Sequence, residues 1–302
     1  MHVTFRPLAG PEELPLFLEL SYDLDGEVAG DLAAGRRRPE WLWIAQHDGR
    51  VVARAAWWAR AGAARPFLMD FFDLEDGHAD TGEALVRAAL AQLAPAGDTP
   101  PEYIRFIAPD WRSDAHEVQL RIDVLARLGA RPLVERRRLQ WRPATAVPAD
   151  DGRLRFRAFR DAEEAVALMT RALDGTLDAH SRADLERMTP RQVAEEHFHG
   201  ELQRYPSPRR WWRVATRPDG EPVGFVFPAR NDYGPIIAYI GVLPEHRGHG
   251  HVDAVLAEGT RVLRADGAPR IRATTDVGNV PMARAFARLG YDNYQNEINM
   301  VW

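Results

Sequence analysis

Residues 246–251 read H-R-G-H-G-H, which concentrates small and basic residue types in one short segment. The apolar stretch before it, 235–243, predicts a buried strand, and the amphipathic pattern of 248–265 predicts a helix. The segment is therefore expected to form a permissive, polar turn between a strand and a helix. Turns of this kind commonly bind an anion at the start of the helix.

Gly248 and Gly250 would let the backbone turn tightly as it enters this helix. The amides from Gly248 to Asp253 would then point outward together at the positive end of the helix dipole, where they form an anion site made of backbone. Arg247 would add positive charge at the rim of the site. A pyrophosphate is the commonest ligand of such a turn.

Two nucleotide-binding motifs do not fit this turn. A P-loop requires a lysine, and the chain has none. A G-x-G-x-x-G dinucleotide motif would place its third glycine at Asp253, and the turn comes late in its half of the chain. Coenzyme A remains as the expected ligand.

The residues around the turn follow the pattern V-x-P-x-x-R-G-x-G, which resembles the cofactor motif of the GNAT acyltransferase superfamily. The pattern is formed by Val242, Pro244, Arg247, Gly248 and Gly250. A second segment, 279–291, resembles the N-x-x-A-x-x-L-Y-x-x-x-G-F segment of that superfamily. The resemblance covers essentially all of 153–302 and extends weakly over 1–145.

The resemblance implies an α/β (α+β) fold in which each half has a mixed, mostly antiparallel sheet flanked by helices. The fourth and fifth strands would splay apart, and the pantetheine arm would pair with the backbone of Ile240 and Val242 in the gap. The amide near Val242 would polarise the thioester carbonyl, and Asn279 would bind the pantetheine amides. The expected cofactor-binding residues are Ile240, Val242, Arg247, Gly248, His249, Gly250, His251, Val252, Asp253, Asn279 and Phe286.

The second half departs from the superfamily at several positions. Val252 replaces a small residue of the turn, and Phe286 replaces the tyrosine that commonly protonates the departing thiolate. Thr274 and Ile236 stand where some members carry a glutamate base. The expected substitute catalytic residues are Tyr239, Asp276 and Tyr291, with Tyr294 as a further alternative.

The histidines admit other roles. His246, His249 and His251 lack the spacing and the neighbouring thiolate or carboxylate of a zinc site, so we expect them to be exposed or to touch phosphate, and we expect no metal. The polar segment 178–206 predicts either a solvated amphipathic helix or part of an amine-binding pocket. Its candidate residues are His180, Glu195, Glu196, His197 and His199.

Three sequence blocks recur in the same order in both halves, which indicates a duplication. The matched blocks are 5–13 with 156–164, 41–57 with 211–227, and 125–141 with 286–302. We therefore predict a domain over 1–145 and another over 153–302, joined by the proline- and alanine-rich 142–152. The first domain is expected to be a degenerate copy, because Glu75, Asp76 and Asp80 put negative charge where an anionic cofactor would bind.

The composition of the 302-residue chain, with 45% hydrophobic and 27% charged residues, is that of a globular protein. Its net charge of −5 offers no general attraction to nucleic acid or to anionic membranes, and no apolar run approaches a membrane span. Without cysteine, an acyl-cysteine intermediate is excluded. We expect a cytoplasmic monomer or homodimer that transfers an acetyl group from acetyl-CoA directly to an amine of a small molecule or peptide. The alternative is a non-catalytic acyl-CoA-binding or sensing protein.

Overall fold

The computed structural model describes residues 3–94 and 97–302, which are divided between two compact units. Unit 1 is built from 1–135 and 296–302, and unit 2 from 136–295. These bounds differ from the predicted halves, 1–145 and 153–302, because the last strand of each half contributes residues to the sheet of the other unit. An alternating pattern identifies a strand, but backbone hydrogen bonds do not specify which sheet edge the strand will join.

Unit 1 has a sheet of order β1-β2-β3-β4-β5-β12, in which β4 and β5 are parallel and the other described pairs are antiparallel. Its strands are β1 (Val3–Pro7), β2 (Leu42–His47), β3 (Arg50–Trp58), β4 (Leu68–Leu74), β5 (Glu102–Ile107) and the part of β12 (Asp292–Val301) from residue 296 onward. Its helices are α1 (Leu14–Phe17), α2 (Asp25–Ala33), α3 (Ala79–Leu93) and α4 (His116–Arg127).

Unit 2 repeats this arrangement in a sheet of order β6-β11-β10-β9-β8-β7, with β10 and β11 parallel. Its strands are the part of β6 (Arg131–Trp141) from residue 136 onward, β7 (Arg155–Arg157), β8 (Arg213–Thr216), β9 (Pro222–Asn231), β10 (Gly234–Val242) and β11 (Ile271–Asp276). Its helices are α5 (Ala162–Ala172), α6 (Ala179–Leu185), α7 (Pro190–Gly200), α8 (His251–Ala265) and α9 (Val280–Arg288).

The parallel strands of each unit separate soon after they begin. β10 pairs with β11 only at Ile236 and Arg272, and a bulge between Ile237 and Tyr239 bends β10 just beyond that point. β4 and β5 pair only at their first residues, and β4 is bulged after Met69. The predicted fold class, a mixed and mostly antiparallel sheet splayed between the fourth and fifth strands, is therefore confirmed in both units.

The sequence A-R-L-G stands at 126–129 and again at 287–290, within the matched blocks 125–141 and 286–302, and it has the same geometry in both copies. Gly129 follows α4 with φ +93°, and Gly290 follows α9 with φ +75°. The amide of the next residue donates to the carbonyl five positions back in each case, at 3.1 Å after α4 and 3.0 Å after α9. This is a Schellman motif, and its left-handed position requires glycine. The sequence repeat thus ends the equivalent helix in the same way twice.

Helix α8 packs closely on the sheet and so fixes the position of its own first turn. Its buried face includes Val255, Leu256, Gly259 and Leu263, which recur at helical spacing. A Cβ on Gly259 would lie 2.8 Å from Val226 of β9, so glycine permits this close approach. The free start of α8 is therefore held against the end of β10.

None of the helices within residues 3–94 and 97–302 is long and apolar enough to cross a membrane.

Candidate functional site

The turn between β10 and α8 owes its shape to two left-handed glycines. Gly248 has φ +82°, and Gly250, the N-cap of α8, has φ +74°. A Cβ at either position would meet no atom within 4 Å, so the backbone conformation, not a lack of space, selects glycine here. The motif glycines therefore do what the sequence predicts of them: they reverse the chain immediately before the helix.

The backbone amides of 248–252 have no hydrogen-bond acceptor in the part of the chain that the structure describes. Free amides at the first turn of a 15-residue helix are the geometry that an anion site requires, and the site itself stays a prediction. Val252 retains its free amide despite its branched side chain. Asp253 corrects the prediction, because its amide donates to the Gly250 carbonyl at 3.2 Å and is not available to a ligand.

The Asp253 side chain would place an unfavourable negative charge beside a bound phosphate. It is paired instead with Arg288 of α9, whose two nitrogens lie 2.6 and 2.8 Å from the carboxylate oxygens. This ion pair joins the start of α8 to the end of α9, and the Arg288 guanidinium offsets the negative charge of Asp253 near the turn.

Arg247 does not act at the rim as predicted. Its guanidinium donates to the carbonyls of Ala172 at 2.8 Å and Asp174 at 2.6 Å, at the end of α5, and its Nε donates to the Val242 carbonyl at 3.1 Å. A cation at a helix C-terminus satisfies carbonyls that have no partner within the helix. Arg247 therefore positions the turn against α5 and β10 instead of contacting the predicted anion.

The last residues of β10 present free backbone to the gap. Leu243 donates its amide to Val223 on the β9 side at 2.9 Å, so the alternate amides of Val242 and Ile240 face away from β9. Because β11 has already diverged, that side of β10 is an unpaired edge. This geometry suits the predicted pairing of Ile240 and Val242 with an extended ligand.

Asn279 begins α9 at the opposite side of the gap. Its Oδ1 accepts a hydrogen bond from the Met282 amide at 3.3 Å and so caps the helix. Within residues 3–94 and 97–302 no hydrogen bond engages its Nδ2. The side chain thus keeps a donor for a ligand carbonyl while it stabilises the helix.

Two predicted residues lie in the hydrophobic core. Phe286 is 1% exposed, and the hydroxyl of Tyr291, which is 4% exposed, is hydrogen-bonded to Thr260 at 2.8 Å. The two rings contact each other with centroids 5.0 Å apart. Burial raises the pKa of Tyr291. We therefore withdraw Tyr291 as a catalytic candidate and Phe286 as a cofactor contact, because apolar packing surrounds both.

Tyr239 lies on β10 just past the bulge, at the gap. Its ring contacts His197 of α7 with centroids 4.6 Å apart and stacks on Phe225 at 5.7 Å. Burial and the nearby Asp178 carboxylate raise the pKa of Tyr239. The hydroxyl consequently keeps its proton at neutral pH, which is the state that a general acid requires.

Asp276 ends β11 but has no free oxygen. One carboxylate oxygen accepts from the Ala179 amide at 2.7 Å and the other from Arg136 Nε at 3.1 Å, and the residue is 3% exposed. Burial, together with the Asp178 carboxylate, raises the pKa of Asp276. Both oxygens of Asp276 therefore hold Arg136 and the start of α6, which argues against the predicted catalytic role.

Asp178 and Arg136 were not predicted by name. Asp178 caps α6 by accepting from the Ser181 amide at 2.7 Å. Its burial acts to raise its pKa, but Arg136 and the Ser181 hydrogen bonds outweigh this effect and leave the pKa lowered. The D-x-x-S spacing before a helix was a usable signal for Asp178. No local sequence signal points to Arg136. It lies on β6, a strand of the first half of the sequence, and contacts Asp276 only because β6 pairs with β11.

The other candidates in 178–206 divide between the gap and solvent. His180 interacts electrostatically with Asp178 and Asp276, and His197 contacts Tyr239. Glu195 pairs with Arg191 on the exposed face of α7, and Glu196 is also on that helix. His199 is exposed and bonds to Gln203. A cluster of three or more potential metal-ligating side chains is not found within 3–94 and 97–302.

Comparison with known protein families identifies the kind of domain that contains this turn. Residues 178–291 match the model of the acetyltransferase (GNAT) family. The chain contains a GNAT domain. The match runs from the start of α6 to the end of α9 and includes the whole β10–α8 turn.

Solved structures extend the likeness in fold to both units. A GCN5-related N-acetyltransferase from Sphaerobacter thermophilus is 16% identical with a TM-score of 0.59, over 99% of this chain and 95% of that chain. A tandem GNAT protein from the clavulanic acid biosynthesis pathway is 18% identical with a TM-score of 0.51, over 100% and 98%. A search of curated proteins gave no significant match. At these identities the structural likeness concerns the fold.

Unit 1 lacks the features of the GNAT turn in unit 2. Four residues, 75–78, join β4 to α3, where eight residues, 243–250, join β10 to α8. Its gap is also bridged, because Arg105 of β5 forms an ion pair with Asp73 of β4 at 2.8 Å. Asp73 is 2% exposed, and Arg54 and Arg121 contact it as well. A buried ionic cluster thus occupies the gap that in unit 2 leaves backbone free.

Proposed function

We propose that unit 2 is an acetyl-CoA-dependent N-acetyltransferase that acts on an amine of a small molecule or peptide. The observation that carries this proposal is the continuity between the five free amides of 248–252 and the unpaired edge of β10. The first feature suits a diphosphate, and the second suits a chain of amides such as pantetheine. Their order along the gap matches the order of these groups in acetyl-CoA.

Acetyl-CoA would supply a thioester whose carbonyl carbon bonds to the amine nitrogen as its bond to sulfur breaks. The departing thiolate would take a proton from Tyr239, and the proton that the amine loses would restore the Tyr239 hydroxyl through solvent. The amide of Val242 would donate to the oxygen on which negative charge develops. Tyr239, protonated and at the gap, would be the donor for the thiolate. Asp276, Asp178 and Arg136 would hold α6 beside the acceptor.

The binding test is calorimetric titration with acetyl-CoA of the wild-type chain and of Gly250→Asp. A carboxylate at the helix start would repel a phosphate, so the variant should bind at least about 100-fold more weakly. Gly77→Asp is a matched control, because Gly77 of unit 1 also has a positive φ, +81°, and open space around its Cα. Equal affinity in all three proteins, or no binding by the wild type, would refute the proposal.

A second candidate function, a non-catalytic acyl-CoA-binding or sensing protein, is favoured by one observation. The position at which GNAT enzymes commonly carry a tyrosine is Phe286, which is buried, and the neighbouring Tyr291 hydroxyl is bound to Thr260. Release of coenzyme A from acetyl-CoA, measured with and without a library of primary amines, separates the two functions. Amine-dependent release supports the enzyme, whereas tight binding without release across the library supports the sensor.

A further inference from the structure

Three imidazole rings are grouped at the predicted phosphate-binding turn. The ring centroid of His251 lies 5.9 Å from that of His249 and 6.3 Å from that of His246. His249 is exposed within the turn, and His251 is the first residue of α8, where it is half-buried. The motif requires only the glycines and the arginine, so these histidines are a property of this chain beyond the family pattern.

Two ring nitrogens of the group are buried and unused. His246 Nε2 and His251 Nδ1 have no hydrogen-bond partner among the described residues. His246, which is 8% exposed, has a Glu221 oxygen 3.4 Å from this nitrogen. A buried polar atom without a partner is unfavourable, so the pair of histidines next to the free amides is poised to gain a ligand.

The charges that face this group are mostly cationic. Burial is the main cause that lowers the pKa of His251. The nearby positive charges lower it further, and they belong to Arg153, His246, His249 and Arg217. Two carboxylates at the turn are already paired, Glu245 with Arg171 and Asp253 with Arg288. Glu221 faces His246, with an oxygen 3.4 Å from Nε2 of that ring. Within the described part of the chain, His249 and His251 therefore have no anionic partner of their own.

We propose that His249 and His251 take up protons when the phosphates of acetyl-CoA bind, so that the turn binds its ligand more tightly as the pH falls. This inference rests on the proposed function, because it assigns the anion to acetyl-CoA. In the free domain the surrounding cations oppose a further positive charge on His251. A bound phosphate reverses that balance and raises the pKa of a neighbouring imidazole.

The direction of the pH effect follows from linkage. A group whose pKa is higher in the complex than in the free protein contributes affinity that is present at low pH and is lost as the pH rises through its bound pKa. Proton uptake at this turn should make the affinity for acetyl-CoA about 10-fold higher at pH 6 than at pH 8. The free amides of 248–252 do not titrate, so they supply the pH-independent remainder of the affinity.

The test is titration calorimetry with acetyl-CoA at pH 7 in two buffers of different ionisation enthalpy, which gives the number of protons taken up on binding. We expect uptake of roughly 0.5 to 1 proton for the wild type. His249→Gln and the double variant His249→Gln, His251→Gln should reduce the uptake in steps. His116→Gln, an exposed histidine of unit 1 that pairs with Asp76, is the control and should leave the uptake unchanged.

The ligand has its own titrating group, because a phosphate monoester has a second pKa of about 6. The titration is therefore repeated with acetyl-dephospho-CoA, which lacks the 3′-monoester. Uptake that persists with this ligand and falls in the histidine variants supports the proposal. Uptake lost with the dephospho ligand, or unchanged in the single variant, overturns it. Tight but pH-independent binding overturns the inference alone, whereas absence of binding overturns the proposed function as well.

Discussion

The gaps between the diverging strands of the two units have the same origin but different contents. When β4 and β10 are aligned at their bulges, Asp70 and Asp73 of β4 correspond to Ala238 and Gly241 of β10. Unit 1 places buried carboxylates at both positions, and Arg37 lies 2.5 Å from Asp70 while Arg105 reaches Asp73. Unit 2 has small side chains at both positions, and its strand edge stays open.

The comparison teaches that this fold can be stabilised in two ways. A GNAT-like split sheet leaves polar backbone without partners, and these groups require either a ligand or a substitute. Unit 1 fills the split with side-chain ion pairs, whereas unit 2 keeps the split available and adds the eight-residue glycine turn. The same architecture therefore predicts binding in one unit only.

The largest effect is expected when the ionic cluster of unit 1 is broken. Burial acts to raise the pKa of Asp73, but Arg105, Arg54 and Arg121 outweigh it and hold the pKa below its usual range. Asp73→Asn should destabilise unit 1 by about 3–5 kcal/mol, because it leaves buried guanidiniums uncompensated. Denaturant unfolding measures this loss.

Asp80→Asn is the surface control for that experiment, since the Asp80 side chain is 98% exposed. It should change stability by less than about 0.5 kcal/mol. The comparison between units fails if Asp73→Asn has no effect on stability, or if it weakens acetyl-CoA binding as much as Gly250→Asp does.

A second prediction concerns the acid stability of unit 2. Hydrogen bonds from Arg157, with the Arg160 amide and side chain, lower the pKa of Glu164 to about 2. Because this pKa is depressed on folding, the stabilisation is present above the unfolded value of about 4.3 and is lost as the pH falls toward 2. Glu164→Gln should remove about 2 kcal/mol at pH 7 and flatten the loss of stability between pH 5 and 2.

Its neighbour Glu163 offers a matched control on the same helix, since it is exposed and pairs with Arg191. Thermal unfolding of both variants over this pH range gives the comparison. Identical pH profiles for Glu164→Gln and Glu163→Gln would contradict the assignment of acid sensitivity to the buried carboxylate.

The third prediction concerns a substitution that removes one hydroxyl oxygen from unit 2 and so gives it the residue type found at the same position of unit 1. Tyr239 corresponds in register to Phe71, so Tyr239→Phe removes a hydroxyl that unit 1 lacks. If Tyr239 is the acid, kcat for acetyl transfer should fall about 10- to 100-fold with little change in the KM for acetyl-CoA. An unchanged kcat in a steady-state coenzyme A release assay would eliminate Tyr239.

The smallest effect is expected at the other tyrosine. Tyr291→Phe removes the buried hydrogen bond to Thr260 and should cost about 1 kcal/mol of stability. Its hydroxyl lies in the core, so kcat should equal that of the wild type. A drop in kcat at unchanged stability would restore Tyr291 as a catalytic candidate.

The sequence predicted those parts of the molecule that depend on local rules. The periodicity of β10 and α8, the left-handed glycines of the turn and the repeated A-R-L-G helix ends follow from backbone preferences within a few residues. The split between the fourth and fifth strands followed from the family resemblance. These features required no knowledge of which distant residues come together.

The misassigned residues all depend on distant contacts. Arg247 is adjacent to the anion site in sequence, but the carbonyls at the end of α5 bind its guanidinium. Asp276 ends a strand at the gap, yet Arg136 and the Ala179 amide occupy both of its oxygens. A side chain's partner is set by tertiary packing, which the order of residues alone does not give.

The strand exchange has a consequence for synthesis of the protein. Strand β5 of unit 1 has as its neighbour the segment of β12 that begins at Asn296. While the ribosome is still making unit 2, the edge of β5 in unit 1 therefore has no partner strand. Unit 1 cannot complete its sheet until residues 296–302 have been synthesised. Unit 1 must therefore wait for the last strand of the chain, whereas unit 2 is the continuous segment 136–295 and has all of its strands before that strand is made.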